Sequence, residues 1–264
     1  MITLSSDFGA PYPAAMKGVI LQRVDTRLVD VSHEFPRQDV RSAAFWLREV
    51  LPWFPPAVHL VVVDPGVGTD RRALVVRAGD HALVGPDNGV LLPAARALAT
   101  AASANGDAAG GDGPVEVFEY AYGTPSSNTF HGRDVFAPAA AAVHGIGVDD
   151  LDAADRLTRT DGFEAVTFPD PSVDETGAEG EVLVVDGFGN VVTNVPGEVL
   201  ADHVGEQTAV NGTEVPVVRA YAECEPGQRL VTVGSHGNVE LAVNQGRGDD
   251  AFGLGPGQTV QLGW

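Results

Sequence analysis

Cysteine is all but missing from this chain, with Cys224 standing alone. One thiol excludes an intramolecular disulfide and any site assembled from clustered cysteines, so a lone buried thiol is the expected state. Lysine is as scarce: Lys17 is the only one, and 36 acidic against 16 basic residues leave a formal charge of −20. Such a balance repels a phosphate backbone, and no nucleic-acid partner is expected. Carboxylates such as Asp149, Asp150, Asp152 and Asp155 fall outside the apolar segments, the pattern of a halophilic surface suited to high salt. There is no run of about 18 apolar residues, so no membrane partner is expected. The opening MITLSSDFG lacks a basic stretch followed by an apolar core, and the expected location is cytoplasmic.

What is present is organised around Val61 to Arg72, VVVDPGVGTDRR. Three β-branched residues suit a strand covered on both faces, and Pro65, Gly66 and Gly68 end the pairing and allow close approach of backbone to a ligand. In open α/β sheets ligands gather beyond such strand ends. Asp64 and Arg71, a carboxylate and a permanent cation, therefore stand at the mouth of an expected pocket. A surface turn with a salt bridge is the alternative reading of the same residues.

Along the chain, Ile2 to Leu4 read as a strand running into Ser5-Ser6-Asp7-Phe8-Gly9, with a helix over Ala14 to Val24. Asp7 there suits a helix cap or a bidentate acceptor for two ribose hydroxyls. A strand at Leu28 to Val31, a helix at Val40 to Leu51 and a strand at His59 to Val63 follow. Arg72 to Ala78 and His81 to Val84 flank Ala78-Gly79-Asp80 as a hairpin. From Ala94 to Pro114 small and polar residues dominate; AASANGDAAGGDG reads as a mobile surface loop. Val115 to Tyr120 resumes a strand, and His131 sits just before a small-residue helix at Val135 to Val143. A lone loop histidine is more often a structural hydrogen-bonding group than a catalyst. Pro and Gly gather again near 166–178. Beyond it, short strand candidates at Glu181 to Val185, Val191 to Asn194, Gln207 to Val210, Val215 to Val218, Arg229 to Val233, Asn238 to Val243 and Gln258 to Leu262 are punctuated by Gly and Pro. The expected architecture is an α/β domain over 1–165 with a mainly parallel central sheet, a linker at 166–178, and a smaller all-β, barrel-like domain over 179–264.

The motifs, in this order, resemble one family: SSDFG with MKG at Met16 to Gly18, VDPGVG at Val63 to Gly68, GPDNG at Gly85 to Gly89, FHGRD at Phe130 to Asp134, DGFGNVVTN at Asp186 to Asn194, and ELAVNQG at Glu240 to Gly246. They look like the adenosine-forming S-adenosylmethionine hydrolases, or S-adenosylmethionine hydroxide adenosyltransferases, relatives of fluorinase and chlorinase. The resemblance implies cleavage of S-adenosylmethionine by water into adenosine and methionine, with no metal and no cofactor. It also implies a homotrimer whose sites lie between the N-terminal domain of one subunit and the C-terminal domain of the next. It assigns the water to Asp64, Arg71 and His131, the ribose hydroxyls to Asp7, and methionine or adenine to Asp186, Asn190, Ser235 and Glu240 with the backbone around Asn244. Asp186-Gly-Phe-Gly-Asn also reads as a polar β-turn.

Three other readings stand beside it. A halogenating relative would carry an aromatic and a hydroxyl residue where this chain has Asp64 and Val67, and a serine where it has Gly132; a carboxylate there repels halide. A non-catalytic binder of adenosine or S-adenosylmethionine would keep Asp64, Arg71 and His131 as an ion-pair network. A metal-dependent hydrolase would draw ligands from Asp7, Asp64, Asp87 and His131. The segment Gly9-Ala10-Pro11-Tyr12 is shorter than in the family and lacks its further acidic residue, which bears on the contact to the methionine amino group.

Overall fold

A computed structural model describes residues 1–104 and 114–264, and the chain divides after Val166. Among the described residues seven strands build the first unit: β1 (Ile2–Ser6), β2 (Leu28–Ser32), β3 (Val58–Val62), β4 (Ala73–Ala78), β5 (His81–Pro86), β6 (Val115–Tyr120) and β7 (Leu157–Arg159). They form one sheet in the order β2-β1-β3-β5-β4-β6-β7. Among the described residues four α-helices accompany it: α1 (Tyr12–Leu21), α2 (Val40–Val50), α3 (Leu92–Ala104) and α4 (Ala137–Ile146). α2 starts where the Asp39 carboxylate accepts a hydrogen bond from Ser42 N at 2.9 Å, and it tightens into a 3-10 turn at Leu51–Trp53 around Pro52. The first four residues of the expected loop, 101–104, belong to α3 instead, and the rest of it, 105–113, lies outside the described residues.

Alternation along the strands sets the layers. Ile2 and Leu4 of β1 and Val58, Leu60 and Val62 of β3 bury against Met16 and Ile20 of α1 and the alanines of α4. Each such fully buried aliphatic side chain contributes roughly 1.5–3 kcal/mol. Thr3, His59 and Val61 face the other side. There α2 and α3 pack on each other, with α3 against β4, β5 and β6.

The sheet is only half parallel, which corrects the mainly parallel expectation. β2, β1, β3 and β5 run parallel, whereas β5–β4, β4–β6 and β6–β7 are antiparallel. The cause is the hairpin itself: Gly79, at φ +56, turns the chain in two residues, so β4 must run against β5, and β6 then adds to the free edge of β4. Because of this reversal the ends of β1, β3 and β5 and the start of β4 emerge on one edge, and Tyr120 at the end of β6 pairs with Ala73 there. Asp7, Asp64, Arg71, Asp87 and Tyr122 are thereby gathered from five segments.

The second unit, Thr167–Trp264, holds β8 (Ser172–Asp174), β9 (Gly177–Val185), β10 (Val191–Pro196), β11 (Gln207–Val210), β12 (Thr213–Pro216), β13 (Arg229–Val233), β14 (Asn238–Val243) and β15 (Thr259–Gly263). The order is β12-β11-β15-β9-β10-β14-β13, all antiparallel, with β8 added on β9. A bridge between Val217 and Val231, with Val218 N donating to Val231 O at 2.9 Å, nearly closes the sheet into a barrel. Its interior is mostly valine, including Val182, Val191, Val195, Val231, Val239 and Val260. One five-residue helix, α5 (Gly248–Phe252), modifies the all-β expectation; acidic Asp249 and Asp250 in its first turn suit a helix N-terminus. Among the described residues no helix is long and apolar enough to cross a membrane.

Candidate functional site

Asp64 follows β3 directly, and its side chain is 4% exposed. Oδ1 accepts a hydrogen bond from Gly66 N at 3.0 Å. Arg71 Nε lies 3.0 Å from the same oxygen without the alignment of a hydrogen bond, and both Arg71 Nε and Asp64 Oδ2 are buried with no hydrogen-bond partner among the described residues. The pair is thus close in charge, buried on the carboxylate side, and open to a further polar group. Burial pushes the Asp64 carboxyl above its ordinary range, the Gly66 N–H, Arg71 and His131 pull it back, and Asp7 adds to the rise.

Arg71 is held at both ends. Its Nη1 donates to Asp87 O at 2.9 Å, and its carbonyl accepts from the Tyr122 hydroxyl at 3.2 Å. The guanidinium lies across Gly66, where an added Cβ would come within 2.3 Å of Nη2. Gly68, at φ +85, lets the loop meet the carbonyl of Asn128, which a Cβ would approach to 2.5 Å. That contact ties the Asp64 loop to the segment carrying His131.

His131 is 5% exposed and opens a π-helical turn, Gly132–Phe136, that runs into α4. Such turns widen a helix locally and recur at functional positions. Its ring stands 6.5 Å from that of Tyr122, centroid to centroid. Asp64, Arg71 and His131 are therefore neighbours, although about sixty positions separate the two motifs. Asp7 is close enough to act on Asp64, and its Oδ2 accepts from Gln38 N at 2.6 Å. It does not cap α1, whose N-cap is Pro11 with no side-chain hydrogen bond. Brought together, a carboxylate, a guanidinium and an imidazole can fix a small hydroxylic molecule, stabilise negative charge on it and take up its proton.

The second unit carries the other residues singled out from sequence. Asp186 and Asn190 close the β9–β10 turn: Asp186 Oδ1 accepts from Phe188 N at 2.9 Å and Asn190 N at 2.8 Å, and Oδ2 from Asn190 Nδ2 at 3.0 Å. Glu240 is 4% exposed, with the Tyr221 hydroxyl donating to Oε1 at 2.5 Å and His236 Nε2 3.4 Å from Oε2. Burial and then Glu240 drive the Tyr221 hydroxyl well above its ordinary value, with Asp186 contributing, so these groups share a neighbourhood. Ser235 is exposed beside His236. Asn244 stands apart in its engagements: Nδ2 donates to Cys224 O at 2.7 Å, its N–H to Gln228 O at 3.0 Å, and its carbonyl accepts from Gly227 N at 2.7 Å.

Several residues escaped the sequence reading. Phe8, Tyr12 and Phe130 stack edge to face with centroids 5.4 to 6.0 Å apart, an aromatic wall beside Asp7 and His131. Phe188 is 81% exposed at the tip of the hydrogen-bonded Asp186 turn. The signal was present, since Phe8, Phe130 and Phe188 sit inside the family motifs. Tyr221 had none, because only the fold brings it to Glu240. Among the described residues no group of three or more His, Cys, Asp or Glu side chains is placed to hold a metal.

The family model for the SAM hydroxide adenosyltransferase N-terminal domain matches residues 2–151, and that for the C-terminal domain matches 180–261. The chain belongs to the SAM hydroxide adenosyltransferase family. It is similar to the (R)-S-adenosyl-L-methionine hydrolase of Salinispora tropica, with 39% identity over 99% of this chain and 97% of the relative. The protein of the same name from Thermus thermophilus is also 39% identical, over 97% of each chain. Among solved structures, an uncharacterized conserved protein from Thermotoga maritima superposes with a TM-score of 0.80 at 30% identity, over the whole of both chains. Within this family, Asp64, Arg71 and His131 lie in matched N-terminal sequence, and Asp186, Asn190, Ser235 and Glu240 in matched C-terminal sequence.

Proposed function

We propose that this protein hydrolyses S-adenosyl-L-methionine to adenosine and L-methionine by attack of water at the ribose C5′. The observation that carries the reading is Asp64: a buried carboxylate whose Oδ1 is fixed by Gly66 N and faced by Arg71, while Oδ2 has no partner among the described residues. Water binds with a proton on Asp64 Oδ2, its oxygen near Arg71 and His131. The oxygen forms a bond to C5′ as the C–S bond breaks, and the electron pair leaves with sulfur. The sulfonium becomes a neutral thioether, so the leaving group needs no acid, and the surplus proton passes to Asp64 or His131. No metal or cofactor enters this scheme.

Asp7 receives the ribose hydroxyls, and Asp186, Asn190, Ser235 and Glu240, with the backbone around Asn244, contact methionine or adenine. The rigid, exposed ring of Phe188 suits stacking on a purine. We propose a cytoplasmic homotrimer with sites at subunit interfaces; the division of binding residues between two units supports it. The halogenating alternative meets two obstacles: the Asp64 charge, and Gly132, where an added Cβ would come 2.9 Å from the Met16 sulfur and 3.2 Å from Phe130. A serine there would have to displace the Met16 thioether.

Adenosine release in the presence of a chelator tests the reading, since a binder returns intact substrate and a metal enzyme falls silent. Mixing Asp64→Ala with Asn190→Ala subunits is expected to restore part of the activity; a fully active monomer contradicts the shared site. Gly66→Ala gives a finer test. The new methyl displaces the Arg71 guanidinium rather than backbone, so adenosine formation is expected to fall on the order of tenfold or more while melting stays within a few degrees. Normal turnover in Gly66→Ala would show that the position of Arg71 does not matter.

A further inference from the structure

We propose that Asp87, gripped by Arg72, is a positioning residue that sets the Arg71 guanidinium against Asp64. This rests on the role proposed for Arg71 in the hydrolysis. Every polar atom of Asp87 is engaged. Its N–H donates to Arg72 O at 3.0 Å, and its carbonyl accepts from Arg71 Nη1 at 2.9 Å. Oδ1 accepts from Glu164 N at 2.8 Å, and Oδ2 accepts from Arg72 Nε at 2.9 Å and Nη2 at 2.5 Å. The side chain is 7% exposed, so these bonds are shielded from water. Arg72 is anchored in turn by Glu119 and by the carbonyl of Gly162.

Two adjacent arginines therefore converge on one residue from opposite sides. Arg72 holds the Asp87 carboxylate, and the Asp87 carbonyl holds Arg71. The loop is fixed to the Asp64 strand as well: Asn88 Nδ2 donates to Val63 O at 2.8 Å, one residue before Asp64. Gly89, at φ +87, bridges Ala165, where a Cβ would strike Val166 N at 2.4 Å. The loop is thus clamped between β3 and the 162–166 segment. Among the described residues the polar partners of Asp87 and Arg72 do not include Asp64, so their effect on the reaction runs through the aim of Arg71. The groups acting electrostatically on Asp64 are Arg71, His131 and Asp7; moving Arg71 away removes the permanent cation among them.

Asp87→Asn keeps the shape and weakens the grip of Arg72; Arg72→Gln removes the grip from the more exposed partner, which guards against a failure of the first variant to fold. Each is expected to slow single-turnover adenosine formation about tenfold, with substrate affinity changed by no more than about threefold. The acid limb of the rate profile should move to higher pH, because Asp64 loses part of a neighbouring positive charge. Combined with Arg71→Ala, Asp87→Asn should add little further loss. A lower melting temperature with unchanged acid limb and additive losses would overturn the proposal and leave Asp87 a stabilising group only. If Arg71→Ala slows the reaction while both variants are normal, the positioning role fails alone. If Arg71→Ala itself is normal, the role of Arg71 falls, and this inference with it.

Discussion

Asp64→Asn is expected to lower the rate of adenosine formation by about 10²-fold or more, with S-adenosylmethionine binding altered only a few-fold. The asparagine keeps the size and the bond from Gly66 N but cannot take a proton from water or pair its charge with Arg71. A 10²-fold loss corresponds to about 2.7 kcal/mol of transition-state stabilisation, the magnitude of a removed acid-base or electrostatic group. Arg71→Ala and His131→Ala should act on the same step, and double variants should lose less than the sum, because a water already misplaced gains little from the remaining partner. Since burial raises the Asp64 carboxyl, the acid limb of the rate profile should lie above the ordinary carboxylate range. Single-turnover rates beside equilibrium binding decide the matter: near-normal chemistry in all three single variants would return the trio to a structural ion-pair network.

Acid is expected to destabilise the first unit well before ordinary carboxylates titrate. A polar ladder crosses β1, β3 and β5: Thr3 Oγ1 shares a hydrogen bond with His59 Nδ1 at 2.8 Å, and His59 Nε2 with His81 Nδ1 at 2.9 Å. His59 is fully buried, and burial followed by the neighbouring His81 holds it down at about 3. Folded, it stays neutral; unfolded, it takes a proton near 6.5. The unfolded chain therefore binds the extra proton, and the stabilisation is fully present above about pH 6.5 and lost as pH falls toward about 3. At about 1.4 kcal/mol per pH unit the loss approaches ~5 kcal/mol, with His81 pulling in the same direction. Melting curves from pH 7 to 4.5 should show the decline, and His59→Gln, which donates and accepts without titrating, should flatten it. Equal slopes in both proteins would remove His59 as the cause.

Local signals were legible and long-range order was not. The VVVDPGVG run announced a strand ending at a loop with Asp64, and β3 ends at Val62. The hairpin at Gly79 was equally plain, yet its consequence, a sheet whose second half is antiparallel, depends on which edge β6 joins, and no local pattern carries that. β8 escaped because its three residues are all exposed and show no alternation. His131 was visible as a loop histidine; the π-helical turn that it opens depends on packing around Gly132, which the side chains of Met16, Phe130 and Val62 approach closely. Asp87 read only as part of the GPDNG motif and as a ligand in the metal-dependent alternative, since its partners Arg72 and Glu164 lie 15 and 77 positions away.

Isotopically labelled water tests the central claim most directly. Incubating the protein with S-adenosylmethionine in H₂¹⁸O should place one heavy oxygen in the 5′-hydroxyl of adenosine and none in methionine, because water forms its bond at C5′ as sulfur leaves. Intact substrate, or label recovered in an amino-acid product beside methylthioadenosine, would contradict the account.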